Sequence, residues 1–594
     1  MSQCQPIYQP LIGNQIRILR LAPGVGTDII CCTLEIHTLS VLGVEFEALS
    51  YTWGSTENKT EIYLDNHLVP VTRNLLEALE ALRFQNKPRV LWVDALCINQ
   101  ENLEERASQV KIMRYIYREA NSVIVWLGPA ADNSHLALDL LIKLSDIREQ
   151  RHNFGRYGVI LRENLSNSGL PDFLDPDWAA LNSLLSRSWF SRVWVVQELA
   201  FSKDSNVRCG DREIPWVIIA NAARAIHEAQ LVVVLGDGYK HVCRLRAFQE
   251  QIATKKELSL VTLLLANQGC LATDPRDKIF AMLGMATDVI QPDRAEGLPI
   301  WPNYSKSVAE VFTEFTKSCL DYFDTLDILA AKIWEVDGLK LPSWVPNWGK
   351  GSQSAPLMLQ ENPSEYHTSR GCKGGCKYSE NGQNLHIFGI LFDRIAGVGR
   401  PLVEPGPDQN IDDVSIQIEW ATIVERLKSY PGNETVDMAY FRTLIANTDI
   451  LARKANDEYG AAFLSWYRWL HRAKGIEIPE YLLESQLDQT EENTRATLFH
   501  TSLMRVCYGR RFFLTRDGYM GIGPAAMELD DVVCIARGAS VPLILREKRK
   551  FVGDGLIDPF NVLYERKLTG EAYVHGIMNG EAYDESQLEE IVLS

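Results

Sequence analysis

Val90-Leu-Trp-Val-Asp-Ala-Leu-Cys-Ile-Asn-Gln-Glu-Asn-Leu-Glu-Glu-Arg106 changes period halfway along, and that change decides the fold. Val90–Val93 is an unbroken apolar run of the kind that fills a strand covered on both faces. After Asp94 the spacing turns helical, with Leu103, Ala107, Val110, Tyr117 and Ala120 on one face. The same alternation continues on both sides. Upstream, Phe46–Tyr51 reads as a strand ended by Thr52-Trp53-Gly54. Glu61–Leu64 and Leu68–Val71 read as a hairpin around Asp65-Asn66, and Asn74–Phe84 as a helix with Leu75, Leu76, Leu79 and Leu82 at helical spacing. Downstream, Ser122–Leu127 is a third apolar strand stopped by Gly128-Pro129, and Ser134–Ile147 and Trp178–Ala200 are helical. Strands alternating with helices predict a doubly wound, parallel α/β sheet.

The remainder reads differently. Arg151–Asp177 is an insertion, and Trp216–Tyr322 is mainly helical by periodicity. Gln353–Gly382 is rich in Gly, Ser, Pro and Asn. Glu404–Asp413 and Glu484–Glu492 are acidic stretches flanking a helical Trp420–Lys474. Short strands at Arg511–Thr515, Tyr519–Ile522, Val532–Ala536, Val541–Leu545 and Glu571–Val574 predict a small antiparallel β unit at the end. The expected division is a lead segment 1–45, an α/β domain 46–215, a mainly helical region 216–390, a helical region with acidic loops 391–500, and a β-rich unit 501–594.

At 594 residues the chain exceeds one hydrophobic core. Sixty Lys and Arg against 77 Asp and Glu give a net charge of −17, a field that repels nucleic acid. The first ten residues lack a basic segment followed by an apolar one, and no apolar run is long enough to span a bilayer; the longest include Leu231–Leu235. Twelve irregularly spaced cysteines suit reduced thiols. These features predict a cytoplasmic protein without a membrane span.

Three blocks, Phe46–Gly54, Leu91–Gln100 with Glu105–Gln109 after it, and Ser191–Leu199, resemble the signature blocks of fungal HET-domain (heterokaryon incompatibility) proteins, in order and at the usual separations. Ala272–Phe280, Leu341–Trp348 and Gly518–Pro524 are similar to stretches that accompany the domain. The resemblance implies an effector of self/non-self recognition and programmed cell death, triggered by a protein partner or by self-association. The third block is also similar to the helix bearing the catalytic glutamate of TIR domains, which implies a flavodoxin-like topology and NAD as a substrate. Carried over, Glu198 is the catalytic carboxylate, suited to an oxocarbenium-like transition state. A non-toxic accessory protein that keeps the fold is the third reading.

Ligands of doubly wound sheets sit beyond the carboxyl ends of the strands. Trp53, Gly54 and Asp94 fall at such ends, with Asn99, Gln100 and Arg106 close behind. Arg192, Trp194 and Gln197 share the third block with Glu198. Trp53 or Trp194 would stack on a base and Arg192 would hold a phosphate. The competing reading has Asp94 and Asn99 capping the next helix, Arg106 and Arg192 in structural pairs, and Trp194 as core. Gly521-Ile-Gly523-Pro-Ala-Ala526 lacks a following helix and reads as a turn. Cys372 and Cys376 lack a well-spaced second ligand pair, and Cys97 lacks a neighbouring base, so no metal site and no thiol nucleophile are expected. No residue pattern points to a bound cofactor; NAD enters only as the substrate that the TIR resemblance implies.

Overall fold

A computed structural model describes residues 7–594 apart from 27, 40–42, 56, 153–164, 166–168, 173, 229–237, 333–337, 352–355, 358–365, 404–412, 433, 450–452, 478–487 and 551–562. Most of the Arg151–Asp177 insertion, the Leu231–Leu235 run and most of the acidic stretch Glu404–Asp413 lie outside the described residues. The chain divides into two compact units, Met1–Lys306 and Ser307–Ser594.

The first unit is built on nine strands: β1 (Gln15–Leu21), β2 (Cys31–Thr38), β3 (Glu47–Tyr51), β4 (Lys59–Leu64), β5 (His67–Thr72), β6 (Arg89–Trp92), β7 (Ser122–Trp126), β8 (Ser205–Cys209) and β9 (Arg212–Pro215). Their order across the sheet is β5-β4-β2-β1-β6-β3-β7-β8-β9. Only the centre matches the expected parallel sheet. β6, β3, β7 and β8 run parallel, while β1 is antiparallel to β6 and to β2, β4 to β5, and β8 to β9. The sheet is therefore mixed. Burial explains the difference: β3 and β7 are buried almost throughout, whereas β5 alternates as strands with one solvated face do. β1 and β2 come from the lead segment, whose Ile16, Ile18, Leu19 and Leu21 are fully buried.

The helices are α1 (Arg73–Leu82), α2 (Asp94–Cys97), α3 (Leu103–Glu119), α4 (Ser134–His152), α5 (Pro176–Leu185), α6 (Ser188–Ser191) and α7 (Val195–Ala200), followed by four more between Trp216 and Leu283. Asp65 and Asn66 take positive φ values of 47° and 65°, the geometry that a two-residue hairpin turn demands. The run expected as helix over Trp178–Ala200 is three helices. It breaks at Arg192, which is extended because its neighbours pair with a distant segment: Val193 N donates to Leu271 O at 2.9 Å and Leu271 N to Ser191 O at 2.6 Å.

The second unit begins with the helix Val308–Phe323, closed at its start by a reciprocal Ser307–Glu310 cap. Its nine strands are β10 (Lys377–Tyr378), β11 (Leu385–Val398), β12 (Arg510–Thr515), β13 (Met520–Pro524), β14 (Val532–Ala536), β15 (Leu543–Lys550), β16 (Leu563–Glu571), β17 (Tyr573–Val574) and β18 (Glu589–Leu593). β11 pairs with β12, β14 and β18, and β14-β15-β16-β18 returns to β11, closing a barrel. Sequence periodicity missed β11, β16 and β18. β11 is bulged at Leu391/Asp393 and Ile395/Gly397, which blurs its alternation and lets one strand serve three neighbours. Helices over Asp413–Val424, Val436–Leu444, Glu458–Lys474 and Gln489–Cys507 pack an aromatic core of Trp420, Tyr440, Phe463, Trp466 and Phe499 against Phe512 of β12. Among the described residues, no helix is long and apolar enough to cross a membrane.

Candidate functional site

The parallel strands of the first unit deliver side chains to one place at their carboxyl ends. β3 ends in Ser50 and Tyr51 and continues to Trp53; β6 runs into Asp94; the irregular segment before α7 supplies Trp189 and Arg192; α7 supplies Glu198. Glu198 is buried, 1% exposed, and accepts a short hydrogen bond from Ser50 Oγ. Ser50 Oγ in turn accepts from Trp189 Nε1 at 2.9 Å. Arg192 donates to Tyr51 O at 2.5 Å and stands 3.6 Å from Glu198 and 3.7 Å from Asp94, so one guanidinium bridges two carboxylates. Trp53 Nε1 donates at 2.9 Å to Asp94 Oδ2, the oxygen that also faces Arg192, and is 36% exposed at the lip of the site. Gly54 turns the chain there with φ +77°.

Burial dominates the electrostatics. It pushes the Glu198 carboxyl up to about 7, against the pull of Arg192 and the Ser50 hydroxyl. Burial, then the Asp94 charge, raises the Tyr51 phenol well above its ordinary range. The Tyr51 hydroxyl is buried without a well-formed hydrogen bond, an orphan that costs stability unless something accepts or donates there.

The remaining expected site residues divide into two groups. Asn99 and Gln100 hold the Asp94 loop: Asn99 N donates to Glu105 Oε1 at 2.8 Å and Gln100 Nε2 to Asp94 O at 2.9 Å. The cap of α3 is Asn102, not Asp94 or Asn99, its side chain accepting from Glu104 N and Glu105 N. Glu105 is itself clamped by the buried Arg17.

Arg106, Trp194 and Gln197 face elsewhere. Arg106 lies 3.6 Å from Asp277 and stacks 3.7 Å above the Tyr304 ring, while Trp194 Nε1 and Tyr304 Oη donate to the two Asp277 oxygens at 3.2 and 2.7 Å. Gln197 is 1% exposed, wedged between Arg114 N and Ala281 O. These three tie the first-unit sheet to the segment around Asp277, within the Ala272–Phe280 block. Trp194 precedes α7 rather than riding on it. Ser50, Tyr51, Tyr117 and Trp189 went unnoticed in the sequence as site residues, although Ser50 and Tyr51 stand inside the first signature block. Cys372 and Cys376 have different neighbours, Glu585 and Tyr378, and among the described residues no three His, Cys, Asp or Glu side chains converge as a metal site.

An α/β unit with polar strand ends, joined to a β-barrel unit, defines a two-module protein. Residues 46–198 match the heterokaryon incompatibility protein (HET) family, and residues 419–593 match the Het-6 beta-barrel domain. The chain is similar to "Heterokaryon incompatibility protein 6, OR allele" of Neurospora crassa, 24% identical over 693 aligned positions that cover 98% of this chain and 96% of the relative. One chain thus carries both a HET-family region and a Het-6 beta-barrel region. No solved structure matches it.

Proposed function

We propose that the protein acts in heterokaryon incompatibility, as an effector that converts a self/non-self encounter into growth arrest or cell death. The observation that carries this reading is the end-to-end likeness to a heterokaryon incompatibility protein, 98% of this chain against 96% of the relative. The effector works in the cytoplasm and is triggered by a protein partner or by self-association. The test is a forced heterokaryon between strains alike except for this locus. Arrest that disappears when the locus is deleted supports the reading; unchanged compatibility after deletion removes it.

A second reading is favoured by Glu198, Arg192 and the orphaned Tyr51 hydroxyl meeting at the strand ends. The parallel strands, numbered by their order in the chain, lie 2-1-3-4 across the sheet, the order of flavodoxin-like sheets. On this reading the lip formed by Trp53 and Asp94 admits NAD, Arg192 holds a phosphate, and Glu198 stabilises the ribosyl cation as the bond to nicotinamide breaks. Glu198 is 1% exposed and bonded to Ser50, so on this reading a ligand must displace what covers it. Nicotinamide release by purified protein, with Glu198→Gln beside it, tests this. Turnover abolished by the substitution supports NAD cleavage; no turnover in either protein refutes it.

A further inference from the structure

Apart from that site, the second unit holds a cavity of about 700 Å³, lined among others by Tyr366, Tyr430, Tyr519, Tyr573, Glu434 and Arg442. That volume lies in the range of small-molecule sites. The cavity opens between the start of the helix Val436–Leu444 and the chain that leaves β17.

Its walls are fixed by their own hydrogen bonds. Tyr366 Oη donates to Ala446 O at 2.6 Å and Tyr430 Oη to His575 O at 2.7 Å. The His575 ring is held at both nitrogens, Nδ1 by Tyr573 Oη at 2.9 Å and Nε2 by Glu434 Oε2 at 2.8 Å. Burial lowers the affinity of His575 for a proton, against the pull of the Glu434 carboxylate. Gly576, at φ +90°, makes the turn that brings this histidine back over the cavity.

The charges select the ligand. Two cations, Arg442 and Lys454, face two anions, Glu434 and Glu581, so the lining is balanced and does not favour a polyanion such as a nucleotide phosphate. Arg442 donates one N–H to Asn447 at 2.7 Å and pairs at 3.9 Å with the Glu434 carboxylate, a contact too long for a hydrogen bond. A guanidinium and a carboxylate side by side in the lining, loosely paired, are complementary to a head group whose carboxylate and ammonium are one carbon apart. The tyrosine faces suit a planar or apolar side chain attached to that head group.

We propose that this cavity binds a free α-amino acid with an aromatic side chain, its carboxylate on Arg442, its ammonium on Glu434, and its ring among Tyr366, Tyr430 and Tyr519. The site is separate from the strand-end cleft and stands whether or not that cleft is catalytic.

Titration calorimetry on the full chain tests it, with L-tryptophan, L-tyrosine and L-phenylalanine as probes and N-acetyl-L-tryptophan, L-tryptophan amide and AMP beside them. Binding of at least one free amino acid is expected, weakened about tenfold or more by blocking either end, because each block removes a charge-assisted bond. Arg442→Gln is expected to weaken it about as much, and the exposed Arg453→Gln, outside the lining, to leave it unchanged. Where Arg442→Gln does not fold, Glu434→Gln, which keeps an acceptor for His575, is expected to show the same loss. Absence of heat with all three amino acids at millimolar concentration overturns the proposal. So does equal binding of the blocked and free forms, or preference for AMP.

Discussion

Among the described residues each unit organises nine strands, one as an open sheet and the other around a closed barrel. In the open sheet the carboxyl ends of the parallel strands project side chains into a shared crevice, and residues as far apart in sequence as Ser50 and Glu198 become hydrogen-bond partners. In the barrel the interior is apolar, with Phe513, Val533, Ile535 and Ile544 fully buried, and the polar cavity lies outside it, between helix and loop. The edges follow suit. The open sheet ends in β5 and β9, which carry Pro70 and Pro215 and so resist pairing with another chain, whereas the barrel's closure removes the problem. An open sheet gathers chemistry at its end; a closed one buries its strands and places chemistry beside them.

The largest effect expected from breaking this contrast lies in the barrel unit. Trp420 is fully buried, packs on Phe512 with ring centroids 6.2 Å apart, and donates to Arg400 O at 2.9 Å. Trp420→Ala is expected to destabilise the Ser307–Ser594 unit by about 3–5 kcal/mol in urea unfolding. A change below about 1 kcal/mol would mean that the helices do not stabilise the barrel.

Next comes the pair Arg510–Glu571, 2.8 Å apart with side chains 4% and 5% exposed. Arg510→Met strands a buried carboxylate and is expected to cost about 3 kcal/mol, much of it recovered in the double substitution Arg510→Met/Glu571→Met. The double-mutant cycle reads this directly. An additive double mutant would show the pair uncoupled.

In the first unit the sharper probe is pH. The Glu198 carboxyl holds its proton up to about 7 when folded, against an ordinary 4.5, so the folded state binds that proton more tightly than the unfolded chain. No penalty exists below the ordinary value; it grows as pH rises through about 7 and is constant above. Glu198→Gln removes the titration. Its stability relative to the parent is expected to improve by about 2–3 kcal/mol between pH 5 and pH 8. A pH-independent gap would deny that the strand-end site is electrostatically strained.

The smallest effect is expected at the sheet's edge. Asn66→Gly, at φ 65°, is expected to stabilise the β4–β5 turn by a few tenths of a kcal/mol, measured by the first unit's thermal midpoint.

How far each feature could be read in advance follows the same divide. β3, β6 and β7 are short, apolar and bounded by turn residues, so local pattern located them within a residue or two. The strands beyond them, the β4–β5 hairpin apart, were hidden because β1 and β2 sit in a segment with no matching helices, and β8 and β9 are half polar. Bulging hid β11. Asp94, Arg192 and Glu198 converge, although only Asp94 is read at a strand end and the other two belong to a segment expected as helix. Arg106, Trp194 and Gln197 share the same blocks but turn toward Asp277, a choice made by a partner some 80 or more residues away that no local spacing encodes.

The two proposed readings meet in one claim, that the strand-end network of the first unit carries the incompatibility response. The most direct measurement is colony growth after induced expression of the full chain in a compatible fungal strain, parent beside Glu198→Gln, with protein levels matched by immunoblot. The account predicts arrest with the parent and growth with the variant. Equal arrest with both, at equal protein, would contradict it.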